Sequence, residues 1–246
     1  MLRQSVIDLQ AKSGRVSPNS RVVKAYKKAL PPLSLHLLAV AIGLMLGDVS
    51  LQSNASGTAH RIKFEWGDTN KGYAFYVYSL FEMYCLSKPR KKVRVNANGN
   101  EVTTWCFQTV TCSAFNVIAD LFLSNGVKVI NYTALLEVFT PISLAFWFMD
   151  DGGLVSYKSN RYAIQMHTQG FSQKEVESLA RLLHQMYGLE CWLKPNKGRW
   201  TVAISGKSYD LFFNLVKLYI HVSMRHKLPQ GSRTSFDNPL FHWLMI

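Results

Sequence analysis

The 246-residue chain is 48% hydrophobic and 17% charged, enough apolar material for one large domain or two small ones, which excludes disorder throughout. Its 28 Lys and Arg against 15 Asp and Glu leave a net charge of +13, a field that favours DNA, RNA or an anionic membrane surface. The four cysteines form no CxxC pair and have no His cluster beside them, which sets a zinc site aside in favour of free thiols in a reducing compartment.

Residues 1–32 read as a basic arm, in which Arg3, Lys12, Arg15, Arg21, Lys24, Lys27 and Lys28 outnumber the single acid Asp8. The arm has no apolar core for a secretory signal, and its sparse acid and scattered base are compatible with an organelle presequence. Pro18, Asn19 and Ser20 set a turn and an N-cap before a short basic helix, which Pro31 and Pro32 stop. Residues 33–47 are apolar apart from Ser34 and His36. Asp48 ends that run short of the roughly 20 residues a membrane span needs. A second run, residues 144–149 after Pro141, is shorter still. Both are expected as helices buried in the protein, not as spans.

After Asp48 the period changes. Arg61-Ile62-Lys63-Phe64-Glu65-Trp66 alternates strictly between charged and apolar, the pattern of a half-buried strand. Aromatic and aliphatic residues at helical spacing follow, with Tyr73, Phe75, Tyr76, Tyr78 and Phe81 expected in the core. Lys92 to Asn96 alternates again, Asn98-Gly99 supplies a turn, and residues 102–109 return as a strand. A helix then closes the block near Lys128. The same order recurs: the buried run at 144–149, strands at 155–158 and 162–168, and a helix capped by Ser172 and Glu175. Strands at 190–194 and 200–205 turn at Asn196-Lys197-Gly198, and a helix from Tyr209 to about His221 leads to Lys227. Trp105 precedes Ser113 by eight residues, as Trp200 precedes Ser208. Asp48 to Lys128 spans 80 residues and Asp151 to Lys227 spans 76, so the chain is an internal duplication.

Both buried runs end in acid, GLMLGDVS at Asp48 and FWFMDDGG at Asp150 and Asp151. A carboxylate there meets a helix end that is already partly negative. A single such acid is explained by the chain leaving for solvent. Two at matching places of a duplicated chain point instead to a bound divalent cation, which would offset both the carboxylates and the helix ends.

Residues 41–49 and 144–152 both resemble the LAGLIDADG motif, and the chain resembles the single-chain, two-motif LAGLIDADG homing endonucleases. Within that family it is most similar to the mitochondrial omega-intron type. The resemblance rests on Pro18-Asn19-Ser20, Phe64-Glu65-Trp66, Thr104-Trp105 with Gln108-Thr109, residues 143–153, and Lys227-Leu228-Pro229 in that order. It implies an α+β fold of two pseudo-symmetric αββαββα subdomains, a saddle of two antiparallel sheets around a central helix pair. Residues 33–130 would form the first subdomain, 131–143 the linker, 144–229 the second, and 230–246 a tail. Gly43 and Gly47 are small enough for close helix approach, whereas the second motif has Phe146 and Asp150 at the matching places.

The resemblance also implies the chemistry. Asp48 and Asp151 would hold Mg²⁺, with the carbonyls of Gly47 and Asp150 completing the ligand set, and hard oxygen ligands suit Mg²⁺ over Zn²⁺. Mn²⁺ would substitute, and Ca²⁺ would bind without supporting cleavage. Lys128 and Lys227 would position water or stabilise charge on the phosphorane. The sheets would line the major groove of double-stranded DNA. Alternation puts Arg61, Lys63 and Glu65 on one face, with Lys92, Arg94 and Asn96, and then Gln165 and His167, and Arg199 and Thr201, likewise set against apolar neighbours. Arg90 and Lys91 belong to a dense basic cluster suited to phosphates. Lys24, Lys27, Gln52, Lys158, Asn196 and Lys197 are further DNA-binding candidates.

The expected activity is therefore a site-specific, metal-dependent double-strand break in a long DNA target, leaving short 3′ overhangs and promoting intron mobility in an organelle, mitochondrion before chloroplast. The protein is expected to act as a monomer without a membrane. An intron-RNA maturase, or a DNA-binding relative without cleavage, is the rival from another class.

Overall fold

In the computed structural model, which describes residues 2–13, 16–17, 19–157 and 161–229, the chain sorts into two compact units. One is built from the chain up to Leu37 with Val49–Ala119, the other from Leu38–Asp48 with the chain from Asp120 onward.

The first unit opens with α1 (Leu2–Ser13), a helix that the sequence did not announce. Arg3 fastens it, donating from Nε to the Cys85 carbonyl at 3.0 Å and from Nη2 to the Tyr78 hydroxyl and Glu82 carboxylate, both at 3.1 Å. Helix α2 (Arg21–Lys28) starts at the expected cap, where the Ser20 hydroxyl accepts from the Val23 N–H. Its Val23 and Tyr26 join Val6 of α1 in a small core, which leaves the lysines outside.

Helix α3 (Leu35–Leu46) is buried from Ala39 to Leu46. Strands β1 (Ser50–Ser53) and β2 (His60–Gly67) pair antiparallel, and β2 buries His60, Ile62, Phe64 and Trp66 as the alternation requires. Helix α4 (Lys71–Phe81) packs on β2 and on β4 (Glu101–Gln108), whose other neighbour is β3 (Arg90–Val95). The sheet order is β1-β2-β4-β3. Tyr73, Tyr78 and Phe81 are in the core, but Phe75 stays exposed against Trp105. Strand β3 is exposed along its length: as an edge it projects past the cover of α4, so Val93 and Val95 bury no face.

Helix α5 (Asn116–Phe122) does not reach Lys128. Asn125 and Gly126 both take positive φ, 51° and 76°, and make a two-residue turn between β5 (Leu123–Ser124) and β6 (Val127–Lys128). Lys128 thus sits on a strand and not at a helix end. The stretch expected as a linker holds α6 (Tyr132–Val138), which packs on the later helix over Gln173–Tyr187. Helix α7 (Pro141–Asp151) begins three residues before the apolar run, because Thr140 and Ser143 form a reciprocal cap and Pro141 opens the first turn.

Strands β7 (Gly152–Tyr157) and β8 (Arg161–Met166) come next, then α8 (Gln173–Tyr187) with its Ser172–Glu175 capping box. Strands β9 (Cys191–Asn196) and β10 (Arg199–Ile204) complete a second sheet of order β7-β8-β10-β9. Helix α9 (Tyr209–Val216) ends short of His221, because His221 is extended and caps a 3₁₀ turn over Val222–Lys227. The two sheets share one connectivity, so the duplication read in the landmarks is a duplication of topology. No single helix among the described residues is long and apolar enough to cross a membrane.

Candidate active site

Asp48, Asp150, Asp151, Lys128 and Lys227 all belong to the second unit, although they span 180 residues of sequence. Close backbone approach of α3 to α7 brings the acids together. A Cβ at Gly43 would lie 2.3 Å from the Ser143 carbonyl oxygen and 2.8 Å from Phe146 Cβ, and one at Gly47 would lie 2.4 Å from Asp150 Cβ. The bulky residues of the second motif therefore fill the space left by the glycines of the first. The Ser143 hydroxyl adds a bond to the Ala39 carbonyl at 2.9 Å.

Asp48 lies two residues past the end of α3, and Asp151 is the last residue of α7. Burial pushes the Asp151 carboxyl up to about 7, and the charge of Asp48 pushes the same way, while Lys227 and Lys128 pull it down. Asp48, the more exposed of the two, is raised less, by desolvation against the same two lysines. Burial in turn holds Lys128 and Lys227 below the ordinary lysine range, against the opposing pull of the three acids and, at Lys128, of Glu175 as well. The five groups thus share one field.

The two lysines are held differently. Lys227 Nζ donates to the Asp150 carbonyl at 2.6 Å and lies 3.4 Å from that of Phe148. Lys128 Nζ sits 5.1 Å from the centroid of the Phe171 ring. The Asp150 carboxylate accepts the Asp48 N–H at 3.1 Å.

No group of three or more His, Cys, Asp or Glu side chains among the described residues could hold a metal unaided. Two carboxylates and the Gly47 carbonyl make an all-oxygen donor set that fits a hard divalent cation, provided substrate oxygens and water complete it. The Asp150 carbonyl, expected as a further ligand, already accepts from Lys227.

The candidate DNA-contact residues fall on two sheet faces. Register puts Gln52 opposite Arg61, and Lys63 opposite Gln108, in the first unit. Arg61 donates to the Gln52 side-chain oxygen from Nε and Nη2, at 3.2 and 2.9 Å. Glu65 is the hub of this face: it accepts from Thr104 at 2.8 Å and pairs with Lys92 at 3.3 Å and Arg94 at 3.4 Å. Arg90, Lys92 and Arg94 share its side. Lys91 pairs with Trp105 and lies on the other. The Asn96 side-chain oxygen accepts from the Asn98 and Asn100 N–H groups, so it is committed to the hairpin turn. Exposed Gln108 joins the face and was not anticipated, although the alternation of its strand carries the signal.

In the second unit Gln165 donates to the Thr201 hydroxyl at 3.3 Å and accepts from Lys194 at 3.3 Å. Lys194 was also missed, whereas Thr201 is fully buried, its hydroxyl donating to the Lys194 carbonyl. His167 and Arg199 are exposed, Asn196 ends β9, and Lys197 takes a positive φ of 49° in the turn. Lys24 is exposed on α2, and Lys27 is half-buried there. Lys158 lies outside the described residues.

Two buried helices ending in acid, two lysines and two sheets of one connectivity are matched by a known family: the profile of the LAGLIDADG DNA endonuclease family covers residues 38–212. The chain belongs to that family. Lys227 lies beyond the matched stretch. A probable intron-encoded endonuclease 1 of Wickerhamomyces canadensis is 37% identical over 230 residues, covering 93% of this chain and 98% of that protein. A cytochrome b mRNA maturase bI2 of Saccharomyces cerevisiae is 29% identical over 240 residues, which is 93% of this chain and 55% of that protein. Among solved structures, the homing endonuclease I-WcaI bound to its DNA recognition sequence matches with a TM-score of 0.83 and 37% identity, over 91% of this chain and 97% of that one.

Proposed function

We propose that this family member is a homing endonuclease that cuts both strands of a long double-stranded DNA site, with Mg²⁺ as its cation and short 3′ overhangs as its product ends. The observation that carries this reading is the placement of two acids and two lysines in one field. When bound, Mg²⁺ supplies polarisation of the scissile phosphate and a more acidic water.

Asp48, Asp151 and the Gly47 carbonyl hold the cation. Mn²⁺ replaces it in cleavage, while Ca²⁺ supports binding alone. Lys128 and Lys227 face the reacting phosphates and offset the charge that grows on them. Their ammonium groups also suit them to orient the attacking water. The faces around Glu65 and Gln165 read the groove, and the net charge of +13 supplies affinity for phosphates. The likeness to an intron-encoded endonuclease, and the omega-type order of motifs, support homing into an intron-free large-rRNA gene of an organelle, mitochondrion before chloroplast. The protein acts as a monomer, since both half-sites lie in one chain.

The likeness to a cytochrome b mRNA maturase favours one second reading, assistance to intron RNA. Asp48→Asn and Asp151→Asn separate the two. Each should slow DNA cleavage at least about 100-fold while the variant still binds DNA. Variants that still cut at the wild-type rate would contradict the nuclease reading, and a wild type that aids splicing and never cuts would favour the maturase.

A further inference from the structure

We infer that the side chain of Asp150 is a positioning group, which ties the catalytic acid Asp48 to the end of α7. The inference rests on the nuclease reading and adds a role for a side chain that the reading leaves unused. Three contacts converge on this one residue. Its carboxylate Oδ2 accepts the backbone N–H of Asp48 at 3.1 Å. Its carbonyl oxygen accepts from Lys227 Nζ at 2.6 Å. Its Cβ occupies the space above Gly47, where any side chain would collide at 2.4 Å.

Each contact has a physical consequence. The N–H of Asp48 lies just past the end of α3, and a charged acceptor fixes the chain there more firmly than water does. That bond sets where the Asp48 carboxylate leaves the helix. The bond from Lys227 fixes an ammonium that would otherwise swing on a four-carbon stem. Asp150 adds a third negative charge beside Asp48 and Asp151, an electrostatic cost that a mere space-filling residue at this place would avoid. The geometry accounts for that cost: the carboxylate refers Asp48 to the end of α7, where the main chain also receives Lys227. A misplacement of about 1 Å at such groups costs on the order of 100-fold in rate.

The test compares Asp150→Ala and Asp150→Asn with the full-length wild type. Asn keeps an oxygen that can accept the Asp48 N–H, whereas Ala keeps none. Amide hydrogen exchange at Asp48, followed by NMR on the metal-free protein, reads the tether without any cleavage. Exchange should quicken about tenfold or more in Asp150→Ala and stay within about threefold of wild type in Asp150→Asn. Single-turnover cleavage in Mg²⁺ should fall about 100-fold in Asp150→Ala and recover to near wild type in Asp150→Asn, with DNA affinity in Ca²⁺ unchanged in both. Unchanged Asp48 exchange in Asp150→Ala overturns the inference, and so does cleavage by that variant at the wild-type rate. A wild type that cuts no DNA removes the nuclease reading instead, and the exchange result still decides whether Asp150 holds Asp48.

Discussion

Phe146 of α7 stands over Gly43 of α3 so closely that a methyl on the glycine would lie 2.8 Å from Phe146 Cβ and 2.3 Å from the backbone oxygen of Ser143. The second of these neighbours is main chain and cannot swing away. Gly43→Ala should therefore force α3 and α7 apart and destabilise the protein by about 3 kcal/mol, the upper part of the range for overpacking a tight core. Urea unfolding measures it. A loss below about 0.5 kcal/mol would mean that the helices are not in this contact.

The Asp151 carboxyl, raised to about 7 by burial and by Asp48, makes a signed prediction. In the unfolded chain it ionises near its ordinary value of 3.8, so between there and about 7 the folded protein holds the extra proton. Stability from this group is then greatest at low pH and is lost as the pH rises to about 7, beyond which it is flat. A cation binds the ionised form and offsets the loss. Mg²⁺ should raise the midpoint of thermal unfolding more at pH 8 than at pH 6, and Asp151→Asn should abolish the difference. Calorimetry at the two pH values decides it, and an equal rise at both contradicts the assignment.

Burial of Glu65 favours its protonated form, but the Thr104 hydroxyl and the Lys92 ammonium outweigh that and hold the carboxyl below the usual range, with Arg94 adding to the effect. The ionised carboxylate thereby sets two cations in place before DNA arrives. Glu65→Ala should free them to pair with any phosphate. Non-specific affinity should rise, the salt dependence should steepen by about one to two in slope, and discrimination against single-base changes should fall. Titrations against target and scrambled duplexes at several salt concentrations test this. Undiminished discrimination contradicts it.

Much of this was legible because strong periodicity survives folding. Strand β2 alternates in sequence and alternates in burial, since each of its faces meets one environment. Edge strand β3 alternates too, yet both its faces see solvent, and no local pattern reveals where a covering helix stops. The hairpin carrying Lys128 has two-residue strands, too short for any period to register. Both motif acids were readable from their place after apolar runs. The bond from the Asp48 N–H to the Asp150 carboxylate joins groups 102 residues apart, so only the folded chain reveals it.

Lys128 and Lys227 match in the duplication, but only Lys128 rests on an aromatic ring, that of Phe171 at 5.1 Å. Phe171→Ala should loosen Lys128 alone and slow one strand by about tenfold while sparing the other. Supercoiled plasmid should then pass through a nicked circle that is always cut in the same strand. End-labelling both strands reads this directly, and equal slowing of the two strands contradicts it.

The proposed function stands on DNA cleavage through a cation held by Asp48 and Asp151. Its most direct test is incubation of the purified protein with a cloned, intron-free organelle large-rRNA gene in Mg²⁺ and in Ca²⁺, beside the Asp48→Asn, Asp151→Asn double variant. One double-strand break in Mg²⁺, bound but uncut DNA in Ca²⁺, and binding without cleavage by the variant are the expected results. Tight binding to that gene with no cutting in any divalent cation would contradict it.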